Sequence, residues 1–88
     1  MLDLRTTNRF KKDVKKVERQ GKPMAILGEV IERLRKEEAL EPHHRDHFLS
    51  GNYVNHRECH VAPDWLLIYK IEDGFLVLMR TGSHSDLF

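Results

Sequence analysis

The sequence predicts an α+β fold: two N-terminal helices packed on one face of a small, mostly antiparallel β-sheet. Three observations lead there. Apolar residues recur at helical spacing through the first 35 residues, at Phe10, Val14 and Val17 and then at Ile26, Leu27, Val30, Ile31 and Leu34. The last third instead contains two β-prone runs, Trp65–Ile71 (WLLIYKI) and Phe75–Thr81 (FLVLMRT). Asp73-Gly74 lies between those runs, a dipeptide suited to a two-residue hairpin turn that needs positive φ at both positions.

Met1–Arg5 alternates weakly and reads as a short edge strand. Thr6, Thr7 or Asn8 can cap the first helix, since a side-chain oxygen there accepts an unpaired first-turn N–H. Gly21 ends that helix and Pro23 can open the second, so the two form an antiparallel pair joined by a short turn. Pro42–Asn52 is polar, histidine-rich and closed by Ser50-Gly51-Asn52, a loop by composition. Tyr53–Val61 reads as a strand of mixed character. No repeat, low-complexity segment or linker interrupts the chain, and 88 residues accommodate one domain, 1–88.

Composition excludes several classes. With 40% hydrophobic and 33% charged residues the chain is too apolar for a disordered tail. No apolar run reaches the roughly 20 residues of a membrane span, and MLDLRTTNRFKK lacks a signal peptide's apolar stretch. The lone cysteine, Cys59, cannot form an internal disulfide, which fits a reducing cytoplasm. The net charge of +1 conceals an asymmetry: residues 1–23 hold eight basic side chains against three acidic, whereas residues 24–46 and 47–88 are each net −2. Lys11, Lys12, Lys15, Lys16 and Arg19 fall within an arc of about 140° at about 100° per residue, opposite Phe10, Val14 and Val17. Most charged helix faces are simply solvated. Here five cations have only Asp13 and Glu18 nearby, and an anionic partner would relieve their repulsion. Nucleic-acid phosphate is the commonest such partner, and an acidic protein would serve equally well.

Five of the six histidines lie within 18 residues (His43, His44, His47, His56, His60), and His84 is near the C-terminus. If Asp73-Gly74 is a two-residue turn, Trp65 lies opposite Gly82, Leu67 opposite Arg80, and His84 near Pro63. If Val61-Ala62-Pro63 is the preceding connection, His60 lies across from Asp64. Both hairpins then bring His60, Asp64 and His84 to one end of the sheet, with Arg80 close by. Two imidazoles, a carboxylate and a guanidinium suit RNA cleavage by attack of the ribose 2′-hydroxyl on its own phosphate. Histidine, with an ordinary pKa of about 6.5, serves as either base or acid near neutrality, and arginine can bind two phosphate oxygens. The chemistry selects RNA, because DNA lacks the 2′-hydroxyl.

Rival readings remain. His43, His44 and His56 read as ordinary surface histidines, Asp64 after a proline could merely start a turn, and Cys59 reads as packed within a strand. His44-x2-His47 with His56-x2-Cys59 offers zinc-like spacing, although structural zinc sites usually contain more than one cysteine. A zinc-stabilised or non-catalytic RNA-binding module is the alternative.

Three runs carry a resemblance: Asp46-His47-Phe48-Leu49-Ser50-Gly51, Arg57 through Tyr69 (RECHVAPDWLLIY), and Arg80 through Phe88 (RTGSHSDLF). Together they resemble YafQ-type toxins of the RelE superfamily, in bacterial toxin–antitoxin systems. His56 departs from the pattern, in which an aromatic residue is frequent. The resemblance implies a ribosome-dependent endoribonuclease that cuts mRNA in the ribosomal A site, needs no metal or other cofactor, and is neutralised by a cognate antitoxin. It implies no membrane partner and no DNA binding by the chain alone, operator DNA being reached through the antitoxin complex. The implied active-site set is His47, His60, Asp64, His84 and Phe88. Trp65 and Arg80 adjoin it on the substrate side, and Lys11, Lys12, Lys15, Lys16 and Arg19 provide the RNA-docking face. His84 would be the general acid, with His60 and Asp64 handling the 2′-hydroxyl proton. His47 would be an alternative base or phosphate contact, Phe88 a base-stacking ring, and Arg80 the phosphate ligand.

Overall fold

The computed structural model describes residues 1–88. Strand β1 (Asp3–Thr6) leads into α1 (Asn8–Arg19) and α2 (Met24–Arg35), followed by β2 (His47–Phe48), β3 (Arg57–Ala62), β4 (Trp65–Glu72), β5 (Phe75–Gly82) and a terminal turn of helix, α3 (His84–Leu87). The sheet order is β1-β5-β4-β3-β2, antiparallel except for the parallel pair β1–β5. The expected α+β architecture is therefore present, with three additions. Short 3₁₀ turns occupy Pro42–His44 within the expected loop and Gly51–Tyr53 across its end, β2 lies between them, and the strand expected from Tyr53 begins only at Arg57. The third addition is α3.

Each α1 boundary has a visible cause. Thr7 caps the helix, its Oγ1 accepting from Phe10 N at 3.0 Å. At the other end Gly21 adopts φ +78°, while Gly21 N and Lys22 N donate to the carbonyls of Glu18 and Val17. Those bonds satisfy last-turn carbonyls that would otherwise be unpaired, and the left-handed conformation favours glycine. Helix α1 lies on β5 and α2 on β3. Between them and the sheet lies the main core, which includes Phe10, Val17, Leu27, Val30, Leu34, Cys59, Val61, Trp65, Leu67, Tyr69, Leu76 and Leu78. The opposite face of the sheet carries a smaller cluster, Leu66, Ile68 and Leu87, with Leu49, Tyr53 and Met79 against it.

Two irregularities correct the register expected from sequence. Beyond the Asp73-Gly74 turn the pairing starts as expected, Glu72 with Phe75 through Tyr69 with Leu78, and then shifts by one residue. Ile68 therefore faces Arg80, Leu67 faces Thr81, and Leu66 faces Gly82. The extra residue, Met79, has its carbonyl taken by Thr7 Oγ1 at 2.8 Å. Beyond Thr6 no strand pairs with this edge of β5, and the start of α1 supplies hydrogen-bond partners there instead. The second correction concerns the preceding connection. It is Pro63-Asp64 rather than Val61-Ala62-Pro63, with Ala62 opposite Trp65 and His60 opposite Leu66. Asp64 adopts φ +54°, a conformation that Asp tolerates better than most residues, so it occupies the turn itself rather than facing His60.

Candidate active site on the open face of the sheet

Alternation along the strands sorts the candidate residues by face. Cys59, Val61 and Trp65 point into the helix-covered core. Glu58 and His60 pair with Ile68 and Leu66 and so share the opposite, open face. His47 pairs with Glu58, and Ile68 with Arg80. His47, Glu58, Ile68 and Arg80 thus form one row across four strands, about 14 Å wide at roughly 4.8 Å per strand. His60, Leu66 and Gly82 form the next row, and His84 begins α3 just beyond it.

Helix α3 is held firmly for so short an element. Ser83 and Asp86 form a reciprocal capping box, and Asp86 also receives Lys16 Nζ at 2.8 Å. These hydrogen bonds, Lys16 first and Ser83 next, hold the Asp86 carboxyl at about 2, below the ordinary carboxylate range. Asp64 Oδ1 accepts the first-turn N–H of His84 at 3.1 Å and lies 3.9 Å from its Nδ1. Asp64 is therefore a partner of His84. Close packing fixes the approach: a Cβ at Gly82 would lie 3.2 Å from Asp86 Cβ.

The rings form an arc. Centroid separations are 6.3 Å for His60–His84, 5.8 Å for His84–Phe88, 6.0 Å for Phe88–Tyr53 and 5.8 Å for Tyr53–His56. Phe88 remains 59% exposed, an aromatic surface available for stacking. His47 lies on the other side. Its Nδ1 donates to the Arg45 carbonyl at 2.5 Å, and its Nε2 lies 3.6 Å from Glu58 Oε1. The residue before it, Asp46, accepts from Tyr69 Oη and Arg57 Nη2, each at 2.5 Å, and so anchors the loop to the core side. Burial and the hydrogen bond to Asp46 both raise the Tyr69 pKa.

Three assignments made from sequence change. Trp65 is 1% exposed, with its indole Nε1 donating to Thr81 Oγ1 at 2.9 Å. It belongs to the core and presents no surface to a substrate. Lys16 is committed to Asp86, so the free cations of the α1 face are Lys11, Lys12, Lys15 and Arg19, all exposed. Arg80 reaches the site, but Asp13 holds its guanidinium, Nε at 2.7 Å and Nη2 at 3.1 Å. The zinc alternative fails on geometry. Cys59 is fully buried on the helix side, its thiol pushed up to about 12 chiefly by burial. His44 is buried with Nδ1 on the His60 carbonyl at 2.6 Å, whereas His47 faces the open side. No three His, Cys, Asp or Glu side chains converge to hold an ion.

Sequence reasoning missed Glu58, Asp13 and Tyr53. Glu58 could have been found from its i, i+2 relation to His60 on a strand. Its side chain is only 5% exposed and Oε2 has no hydrogen-bond partner. Asp13 is the acidic residue among the lysines of α1, and its partner lies 67 positions away.

Comparison with known proteins decides the family. The family model for the bacterial toxin of type II toxin–antitoxin systems, YafQ, matches residues 2–88. The chain belongs to the YafQ toxin family. It is 37% identical to the mRNA interferase toxin YafQ of Escherichia coli K12, over 98% of this chain and 95% of that one. The crystal structure of a copper-bound mutant toxin from Helicobacter pylori superimposes with a TM-score of 0.96 at 45% identity, covering all of both chains. YafQ in the E. coli DinJ–YafQ complex matches at 0.91 and 36% identity, covering 100% of this chain and 99% of that one. No helix of this chain is long and apolar enough to cross a membrane.

Proposed function

We propose that this YafQ-family chain is an mRNA interferase, an endoribonuclease that cleaves mRNA on the ribosome in the cytoplasm and is neutralised by a cognate antitoxin. One observation carries the reading: His60 and His84 face each other at 6.3 Å across the open face, with Asp64 on His84 and Phe88 beside it. A phosphodiester placed between the imidazoles can meet one at the 2′-oxygen and the other at the 5′-oxygen. His60 removes the 2′-hydroxyl proton as that oxygen attacks phosphorus. His84 protonates the departing 5′-oxygen, leaving a 2′,3′-cyclic phosphate. Asp64 orients α3 and with it the acid. His47, beside Glu58 in the adjacent row, is a second candidate for base or phosphate contact. Arg80 supplies the cation for charge that grows on the phosphoryl oxygens, and Phe88 stacks on an unpaired base.

The four free cations of α1 bind ribosomal RNA phosphate, so the ribosome provides the substrate positioning that so small a site lacks. An acidic antitoxin segment is the other partner suited to that face, and the E. coli relative assembles with DinJ. Expression without antitoxin should arrest growth and cut translated mRNA at defined positions, and His84→Ala should abolish both. Cleavage of programmed ribosomes but not of the same RNA free in solution is the expected ribosome dependence. A His84→Ala protein as toxic as the parent would remove His84 from the site.

A further inference from the structure

Asp13 makes contacts that its neighbours on α1 do not. Its Oδ2 accepts from Arg80 Nε at 2.7 Å and from the backbone N–H of Thr81 at 3.2 Å, while Oδ1 accepts from Arg80 Nη2 at 3.1 Å. Both side chains of the pair are 13% exposed, so this bidentate contact lies in a partly desolvated corner where it is stronger than a surface pair. The carboxylate occupies the Nε/Nη2 edge of the guanidinium. Nη1 takes no part in this contact, and Tyr53, from the open face, also approaches Arg80. Met79, the inserted residue of β5, directly precedes Arg80, and α1 meets β5 on both sides of it, through Thr7 and Asp13. An arginine on a strand without this partner would sample many rotamers, whereas here one edge of its fork is fixed.

We propose that Asp13 is the positioning residue for Arg80: it fixes one edge of the guanidinium so that the opposite edge faces the scissile phosphate. The helix whose exposed cations grip ribosomal RNA then also holds the cation that stabilises the reacting phosphoryl group. The inference rests on the phosphate-binding role of Arg80 proposed above.

Asp13 donates nothing to substrate, so its loss should slow chemistry without weakening docking. The test is mRNA cleavage on programmed ribosomes under single-turnover conditions, with the full chain released from its antitoxin. Asp13→Ala should lower the maximal rate about tenfold or more, as misplaced catalytic groups do, with half-saturating ribosome concentration within about twofold of the parent. Asp13→Asn retains one accepting oxygen and should fall between the two; being nearly isosteric, it also covers a folding failure of the alanine variant. Arg80→Ala should be at least as slow as Asp13→Ala, and adding Asp13→Ala to it should cost no further rate. The Arg80 Nε–H resonance, protected in the parent, should exchange rapidly in Asp13→Ala while α1 amides keep their protection.

The inference is overturned if both Asp13 variants cleave at the parental rate, or if Asp13→Ala slows the Arg80→Ala protein by the same factor as the parent. A change in half-saturation without a change in rate also overturns it. If Arg80→Ala leaves the rate unchanged, the phosphate-binding role and this inference fall together. If Arg80→Ala is slow and both Asp13 variants are not, only the inference falls.

Discussion

Thr81→Val tests the assignment of Trp65 to the core. Thr81 is 1% exposed, and its hydroxyl donates to the Leu66 carbonyl at 2.7 Å while accepting from Trp65 Nε1 at 2.9 Å. Valine retains the shape and removes both bonds. Losing the two bonds and stranding a buried indole N–H costs about 3–5 kcal/mol. The methyl replacing a buried hydroxyl returns about 1 kcal/mol. The net loss is about 2–4 kcal/mol, a large share of the roughly 4–13 kcal/mol expected for a chain of this length. Urea titration followed by far-ultraviolet circular dichroism, a signal that does not depend on the single tryptophan, measures it directly. With an m-value of about 1.2 kcal/mol/M, the midpoint should fall by about 2–3 M at unchanged slope. In a Trp65→Phe background the same substitution should cost at least 1 kcal/mol less, by roughly the energy of the indole contact. A midpoint shift below about 0.5 M, or an equal cost in both backgrounds, would refute the argument.

Two further predictions concern titratable groups. The Asp86 carboxyl is held at about 2 by Lys16 and Ser83, against an ordinary 3.8, so the unfolded chain binds more protons in that interval. The contribution of Asp86 to docking α3 is complete above pH 3.8 and lost as pH falls toward 2, so amide protection at Leu87 and Phe88 should decline in that window before protection in α1; Lys16→Met should move the decline to higher pH. Loss of protection at the same pH in both helices would contradict this. The Cys59 thiol, pushed up to about 12 by burial, leaves about one part in ten thousand as thiolate at pH 8. A chromogenic disulfide reagent should therefore label the native chain only as fast as it opens, and stoichiometrically in denaturant, whereas complete labelling within seconds under native conditions would place the thiol at the surface.

The physics of short-range order was legible in the residues. Apolar spacing located α1 and α2, Thr7 and Gly21 marked the ends of α1, and Asp73-Gly74 located the β4–β5 hairpin, because each depends on side chains only a few positions apart. The same runs bring His60, His84, Asp64 and Phe88 together, as expected from the two hairpins and the family resemblance. Helix α3 was not legible, since four residues without an apolar period form a helix only because Lys16, Asp64 and the capping box hold them. The family resemblance put Trp65 beside the site, but strand alternation sends the indole to the opposite face.

Charge followed the same division. Sequence alone determined that the N-terminal third is basic and that α1 has one cationic face, because helical geometry fixes which residues share a side. Only the tertiary structure decided which of those charges are free. It consumes Lys16 on Asp86 and turns Asp13 onto Arg80, each partner being about 70 residues away. It also decided the register at Met79, because a bulge depends on what satisfies the strand's unpaired edge. Here that is α1, and no local pattern in β5 records it.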